Sequence, residues 1–439
     1  MNLTPLEPPY GKKGLKLKSK FLIFGISLTL VLGIASEAIS AAKMLIPMDL
    51  SQRDHLKAYG VAFWTVKQGG KAEWLLNFRS GSFLIDPFQQ LEQLCRIQGV
   101  TYEMIDGGEV ATIYAEIEQN NMEVVPLEKA PKIAVYAPAG TDPWDDAMLL
   151  ALTYADIPFE QIYDEEVLNG KLSDYDWLHL HHEDFTGQMG KFLGSYQSAA
   201  WYQTRWAEEQ ARATQHGFKS VSDMKKSVAR DVKRYVSEGG FLFAMCSGTD
   251  SYDIALASEG IDIVDTPFDG TPPDPKCMEK LDYSKCLAFQ DFKIVTNPKV
   301  YEFSDIDMTS QATKRSEGGD YFSLFEFSAK YDPVPTMLTQ NHTSIVKGFM
   351  GQTTSFRKTL IKPSVVIMGE YEGIDEAKYI HGNVGQGTFT FYAGHDPEDY
   401  RHMVGDPQTN LELHKNSPGY RLILNNVLFP AAKKKKLKT

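Results

Sequence analysis

Apolar residues recur along this chain in two rhythms. Short runs that alternate, or stay wholly apolar over four to six residues, mark strands, and apolar positions spaced three and four apart mark helices. From Lys43 the pattern predicts a strand Met44–Met48, a helix from about Ser51, strands Glu73–Arg79 and Phe83–Ile85 around Ser80-Gly81, and a helix containing Cys95. A strand Thr101–Ile105 and a helix Val110–Gln119 complete a small α/β domain over residues 43–130, closed by Pro126, Glu128-Lys129 and Pro131.

The second unit, residues 131–430, opens with the apolar strand Lys132–Tyr136 and a helix Pro143–Tyr154. Pro143 suits a first helical turn, with Asp142 or Thr141 as the cap. Strands Phe159–Tyr163 and Trp177–Leu180 follow, then a helix Val221–Ser237, a strand Phe241–Met245 and a helical stretch Tyr252–Ser258. Strands alternating with helices predict an open, mostly parallel sheet with right-handed crossovers. Residues 184–218, aromatic and polar, and the Pro-rich residues 265–355 read as insertions. Pro363–Gly369 returns to a strand, Lys378–Gly382 and Gly387–Tyr392 form a hairpin around Gly385-Gln-Gly387, and Pro418–Leu428 is a closing helix.

With 439 residues, 43% of them hydrophobic, the chain has ample material for a core, and disorder is excluded. A formal charge of −12 excludes wholesale nucleic-acid binding. Its distribution changes the picture further. Lys12, Lys13, Lys16, Lys18 and Lys20 precede an uncharged apolar run Phe21–Ala35 and small residues through Ala42. Residues 1–42 therefore read as a secretory signal peptide or an N-terminal anchor, which places the protein in the periplasm or on a membrane facing it. That segment carries five lysines and two glutamates, so the chain without it is −15. The basic tail, residues 431–439, holds five more lysines, leaving −20 on the body.

Export changes how the four cysteines are read, because disulfides persist outside the cytosol. Cys277 and Cys286 are spaced to close a small loop, and Cys95 lies on an amphipathic helix as a core thiol. Cys246 remains. It directly follows the strand Phe241–Met245, where a sharp turn exposes the sulfur and a helix N-terminus favours the thiolate.

In parallel sheets ligands sit beyond the carboxyl ends of the strands. Three polar clusters fall there: His181-His182-Glu183-Asp184, Cys246-Ser247-Gly248 and His395-Asp396-Pro397-Glu398. The first reading is nucleophilic catalysis, with Cys246 as nucleophile, His395 as base, and Glu398 or Asp396 orienting the imidazole. Ser247, Gly248 and the loop with His182 and Glu183 would receive the oxyanion or substrate. That chemistry needs no cofactor. The second reading is a metal site, with His179, His181 and Asp184 as ligands and His395 and Asp396 completing the shell, a donor set suited to zinc. A third is a binding module without chemistry, in which the aromatic stretch Phe192–Trp206 stacks on sugars or peptides. Arg79 and Arg421 are candidates to clamp a carboxylate.

Over residues 131–260 and 363–428 the sequence resembles the class I glutamine amidotransferase-like superfamily, which has a flavodoxin-like sheet. The resemblance rests on Phe241–Ser258, a strand, a cysteine turn and a helix, and on a strand followed by a His-x-Glu motif, here His395-Asp-Pro-Glu398 with one more residue. Gly385-Gln-Gly387 through Gly394-His395 looks like the trehalose-utilisation-protein-like branch. The resemblance implies a thiol-dependent amide hydrolase of glutamine type, acting on a small-molecule, peptide or carbohydrate substrate.

The whole chain, from Leu45-Ile-Pro-Met48 through Trp177–Gly187 to Asn425–Pro430, is also similar to exported bacterial proteins commonly labelled asparagine synthetase B. That activity fits the residues poorly. Glutamine-hydrolysing asparagine synthetases use an amino-terminal cysteine, and none precedes Cys95. Ser247-Gly-Thr-Asp-Ser251 is one residue shorter than their ATP loop, so it presents fewer N–H groups to a pyrophosphate.

Overall fold

Two sheets organise the chain. A computed structural model describes residues 42–138 and 146–433. Residues 1–41, expected to hold a signal peptide or anchor, the Thr141-Asp142-Pro143 helix start and all but Lys433 of the lysine tail lie outside the described residues. Among the described residues, no helix is long and apolar enough to cross a membrane.

The first sheet contains β1 (Lys43–Ile46), β2 (Ala72–Leu76), β3 (Ser82–Ile85), β4 (Glu103–Ile105) and β5 (Glu123–Leu127). They are antiparallel throughout, in the order β4-β1-β3-β2-β5. The predicted Glu73–Arg79 strand stops at Leu76 because Asn77, Arg79 and Ser80 take positive φ of 62°, 43° and 65°. Strand β5 was not expected, since Pro126 argued for a boundary. Pro126 is tolerated because β5 is the sheet's edge, where the missing N–H breaks no ladder.

The second sheet contains β6 (Ile133–Tyr136), β7 (Glu160–Ile162), β8 (Trp177–Leu180), β9 (Phe241–Met245), β10 (Tyr321–Leu324), β11 (Ile345–Lys347), β12 (Phe356–Arg357), β13 (Val366–Tyr371), β14 (Glu376–Val384) and β15 (Gly387–Tyr392). Strands β7-β6-β8-β9-β15 are parallel neighbours in that order. Beyond β15 the pairing turns antiparallel through β14, β13, β10 and β11, with β12 on β14. The expected mostly parallel sheet is therefore a mixed α/β sheet, parallel in one half only. The antiparallel half arises because the hairpin β14–β15 reverses the chain through Gly385, whose φ is +59°, and β10 and β11 come from the stretch read as an insertion.

The described residues form one compact unit. Its largest apolar core joins Tyr59, Trp74 and Phe83 of the first sheet's side to Trp177, Phe243 and Leu424 of the second. Arg421, fully buried in the helix Pro418–Leu428, ties these parts together. Its Nη1 donates to the Met48 carbonyl and approaches His342 Nδ1, and its Nη2 donates to the Ser80 carbonyl. It is a structural clamp on carbonyls, and Arg79 is ion-paired to Asp49 and Glu103. All four cysteines are free and buried, so Cys277 and Cys286 are not bridged, and Cys286 Sγ instead donates to the Asp253 carbonyl at 3.3 Å.

Candidate functional site

The carboxyl ends of β8, β9 and β15 meet at one place, and the register explains how. Met245 at the end of β9 pairs with Tyr392 of β15, so the Cys246 N–H donates to the Gly394 carbonyl at 3.1 Å. Cys246 has φ +48° and ψ −139°, a conformation L residues rarely take, and the helix Ser247–Ala257 starts immediately after it. Strained backbone of this kind persists only where its surroundings hold it. Here Thr249 supplies both its N–H and its hydroxyl to the Cys246 carbonyl.

The Cys246 sulfur accepts the Gln352 N–H at 3.3 Å. Burial pushes the thiol up to about 11, against the pull of the Gln352, Ser247 and Thr353 N–H groups. At neutral pH it is a protonated thiol. Cys246, His182, His395 and His402 line one cavity of about 310 Å³, walled further by Phe192 and Tyr301. Two of the expected aromatic residues, Phe192 and Tyr196, thus face the site, while Trp201 packs on both of them.

His395 stands with its ring centroid 4.5 Å from His181 and 4.2 Å from His402, stacked on the latter. One expected partner is elsewhere. Glu398 pairs with His414 at 2.9 Å instead of orienting His395, because the extra residue in His395-Asp-Pro-Glu398 carries it past the imidazole. Asp396 is buried and accepts the Glu398 N–H, closing the turn. Gly248 gives its N–H to the His181 carbonyl at 2.6 Å, so it is not an oxyanion donor. Ser247 keeps a buried hydroxyl without a hydrogen-bond partner. Glu183 accepts the His181 N–H and lies 3.7 Å from His182 Nε2, an acid beside an imidazole rather than a donor for an oxyanion.

Among the metal candidates, Asp184 does not join the set. Its carboxylate accepts the Thr186, Gln188 and Gly190 N–H groups and fastens its own loop. His179 and His181 are both fully buried with Asp146, which sequence reading missed. Asp146 caps the helix Ala147–Tyr154 through the Met148 and Leu149 N–H groups and reaches His181 Nδ1 at 3.3 Å. Burial opposes its charge, yet the neighbouring histidines, His181 foremost, hold its carboxyl well below the usual range. An acid immediately before an apolar helix was the available signal.

The proton positions follow from the network. The Phe243 carbonyl can only accept, so His179 Nδ1, 3.0 Å away, carries the hydrogen. His179 Nε2 is then bare and accepts from His181 Nδ1 at 3.2 Å, the same nitrogen that faces Asp146. In the neutral ring His181 Nε2 is then the lone pair, buried and without a hydrogen-bond partner. The ligand nitrogens of His181, His182 and His395 lie within 4.8 Å of one another. Strand alternation would send His182 to the opposite side from His181, but β8 ends at Leu180 and the chain turns there.

Comparison with known proteins adds little to this geometry. No family model matches the chain, and no curated protein matches it. Among solved structures, a cytoplasmic protein of Salmonella typhimurium is 9% identical, over 69% of this chain and 100% of its own, at a TM-score of 0.34. A second, from Salmonella typhimurium LT2, is 13% identical over 69% and 100%, at 0.35. A GH42 β-galactosidase, Gan42B, is 11% identical over 61% of this chain and 28% of its own, at 0.27. Likeness at this level defines neither a fold family nor an activity.

Proposed function

We propose that the parallel half of the large sheet is a class I glutamine amidotransferase-like, flavodoxin-like core, and that Cys246 is the nucleophile of an amide or ester hydrolase. Counted from β6, the parallel strands run in the order second, first, third, fourth, fifth, the flavodoxin-type order. Cys246 follows the fourth strand and His395 the fifth. The observation that carries the reading is the backbone of Cys246: positive φ at the end of a strand, a helix behind it, and the sulfur in a cavity that an imidazole shares.

In this reaction the sulfur attacks the substrate carbonyl carbon while His395 takes the thiol proton. The Gln352 N–H, with that of Ser247, is directed at the sulfur and stabilises the thiolate as it forms. Collapse expels the amine or alcohol, which leaves with the proton from His395. Water then attacks the thioester, releases the acid and restores the thiol. The raised resting pKa of Cys246 means that the thiol is silent until the base engages it.

The same reading places the chain outside the cytosol, on the basic and apolar residues of its first 42 positions. A panel of amides and esters assayed with wild type, Cys246→Ala and His395→Ala tests the activity. Hydrolysis lost in both variants is expected; hydrolysis undiminished in Cys246→Ala overturns the proposal.

A further inference from the structure

We infer that His181, His182 and His395 form a binding site for one divalent transition-metal ion of the zinc class, and that loading it silences Cys246. The metal site stands on its own observations; the silencing rests on the reading of His395 as the base.

Three imidazoles from two strand ends bring ligand nitrogens within 4.8 Å of one another, where an ion at about 2.1 Å from each would hold them. Convergence alone is a weak sign. The decisive atom is His181 Nε2, a lone pair in a side chain with no solvent exposure and no hydrogen-bond donor. A buried acceptor left without a donor is costly, and a metal ion is the partner that such a lone pair suits.

Its far nitrogen is held in the matching tautomer by Asp146 at 3.3 Å and His179 at 3.2 Å, the carboxylate-histidine support that metal ligands ordinarily have. His182 has Glu183 beside it at 3.7 Å, and His402, stacked on His395, has Asp399 at 2.9 Å. Three imidazole nitrogens with a fourth position opening on the cavity describe an open tetrahedral site. The ligands thus differ from the His179, His181 and Asp184 set that spacing pointed to.

A metal on His395 occupies the lone pair that would take the Cys246 proton. Metal loading and thiol acylation are therefore mutually exclusive at this site.

Full-length protein stripped with chelator and titrated with zinc chloride tests both parts. The expected result is one zinc per chain by calorimetry and elemental analysis, weakened at least about 10-fold in His181→Ala and in His395→Ala, with circular dichroism checking each fold. Cys246→Ala and the remote His414→Ala should bind as wild type does. Cobalt in place of zinc should give the visible absorption of a tetrahedral ion. Zinc should also block acetylation of Cys246 by p-nitrophenyl acetate. No stoichiometric zinc, or binding lost with Cys246→Ala and kept without His181, overturns the metal site and leaves the thiol reading intact. Zinc bound with acetylation unchanged, or acetylation that needs zinc, overturns the silencing.

Discussion

His181 Nδ1 lies 3.3 Å from Asp146 Oδ1, and that contact decides which way the imidazole presents its lone pair. With the proton held toward Asp146, Nε2 is the bare nitrogen of a ring that clusters with His182 and His395. Asp146→Asn keeps the size but lets the side-chain amide donate, which favours the opposite tautomer. Zinc affinity is expected to fall by about 10–100-fold while the far-ultraviolet dichroism stays unchanged. Calorimetric titration of the variant checks this, and wild-type affinity would contradict the tautomer argument.

Gly248 has no room for a side chain. A Cβ there would stand 2.6 Å from the His181 carbonyl, backbone that cannot yield without moving the histidine cluster. Gly248→Ala is expected to cost about 1–3 kcal/mol of stability and to weaken zinc binding together with it. Denaturant unfolding and metal titration of the one variant read both effects.

The strand ends that carry this site were legible because their strands are short runs dominated by apolar and aromatic residues. Trp177–Leu180 and Phe241–Met245 have the bounds read from the pattern, and Cys246 and His395 line one cavity as their positions after β9 and β15 implied. The rest was hidden for identifiable reasons. Gln352 comes from a long irregular segment with no hydrophobic period, so nothing in the sequence aims its N–H at a sulfur. Asp146 falls inside the helix expected over Pro143–Tyr154, and its place at the histidines appears only when the end of β8 is folded against it. Asp184 looked like a ligand by spacing alone, but three N–H groups of its own loop occupy it.

Arg421 is expected to be a stability residue. Arg421→Met removes the donor from the Ser80 carbonyl and from His342 Nδ1, at about 1–3 kcal/mol for a buried group left unsatisfied. Arg421→Lys should not restore it, because an ammonium cannot span Met48, Ser80 and His342 in one plane. Equilibrium unfolding in urea distinguishes these outcomes from a tolerant surface position.

Acid should destabilise the fold through buried neutral histidines. Burial, then Arg421, lowers His55 to about 4 and His342 to about 3, and burial lowers His381 to about 4. The unfolded chain takes up these protons near 6.5 and the folded one does not, so stability is fully present above that pH and is lost as pH falls toward 4. Each histidine contributes a slope of about 1.4 kcal/mol per pH unit in that window. Unfolding midpoints from pH 7.5 to 4.5 should fall steeply, and less so in His381→Leu; a flat profile would contradict the assignment.

The thiol at the end of β9 is tested most directly by intact-protein mass spectrometry of metal-free protein mixed with p-nitrophenyl acetate. The expected result is a single transient acetyl adduct, mapped by peptide digestion to Cys246, absent from Cys246→Ala and formed far more slowly by His395→Ala. An adduct on another residue, or nitrophenol release at wild-type rate from Cys246→Ala, would contradict it.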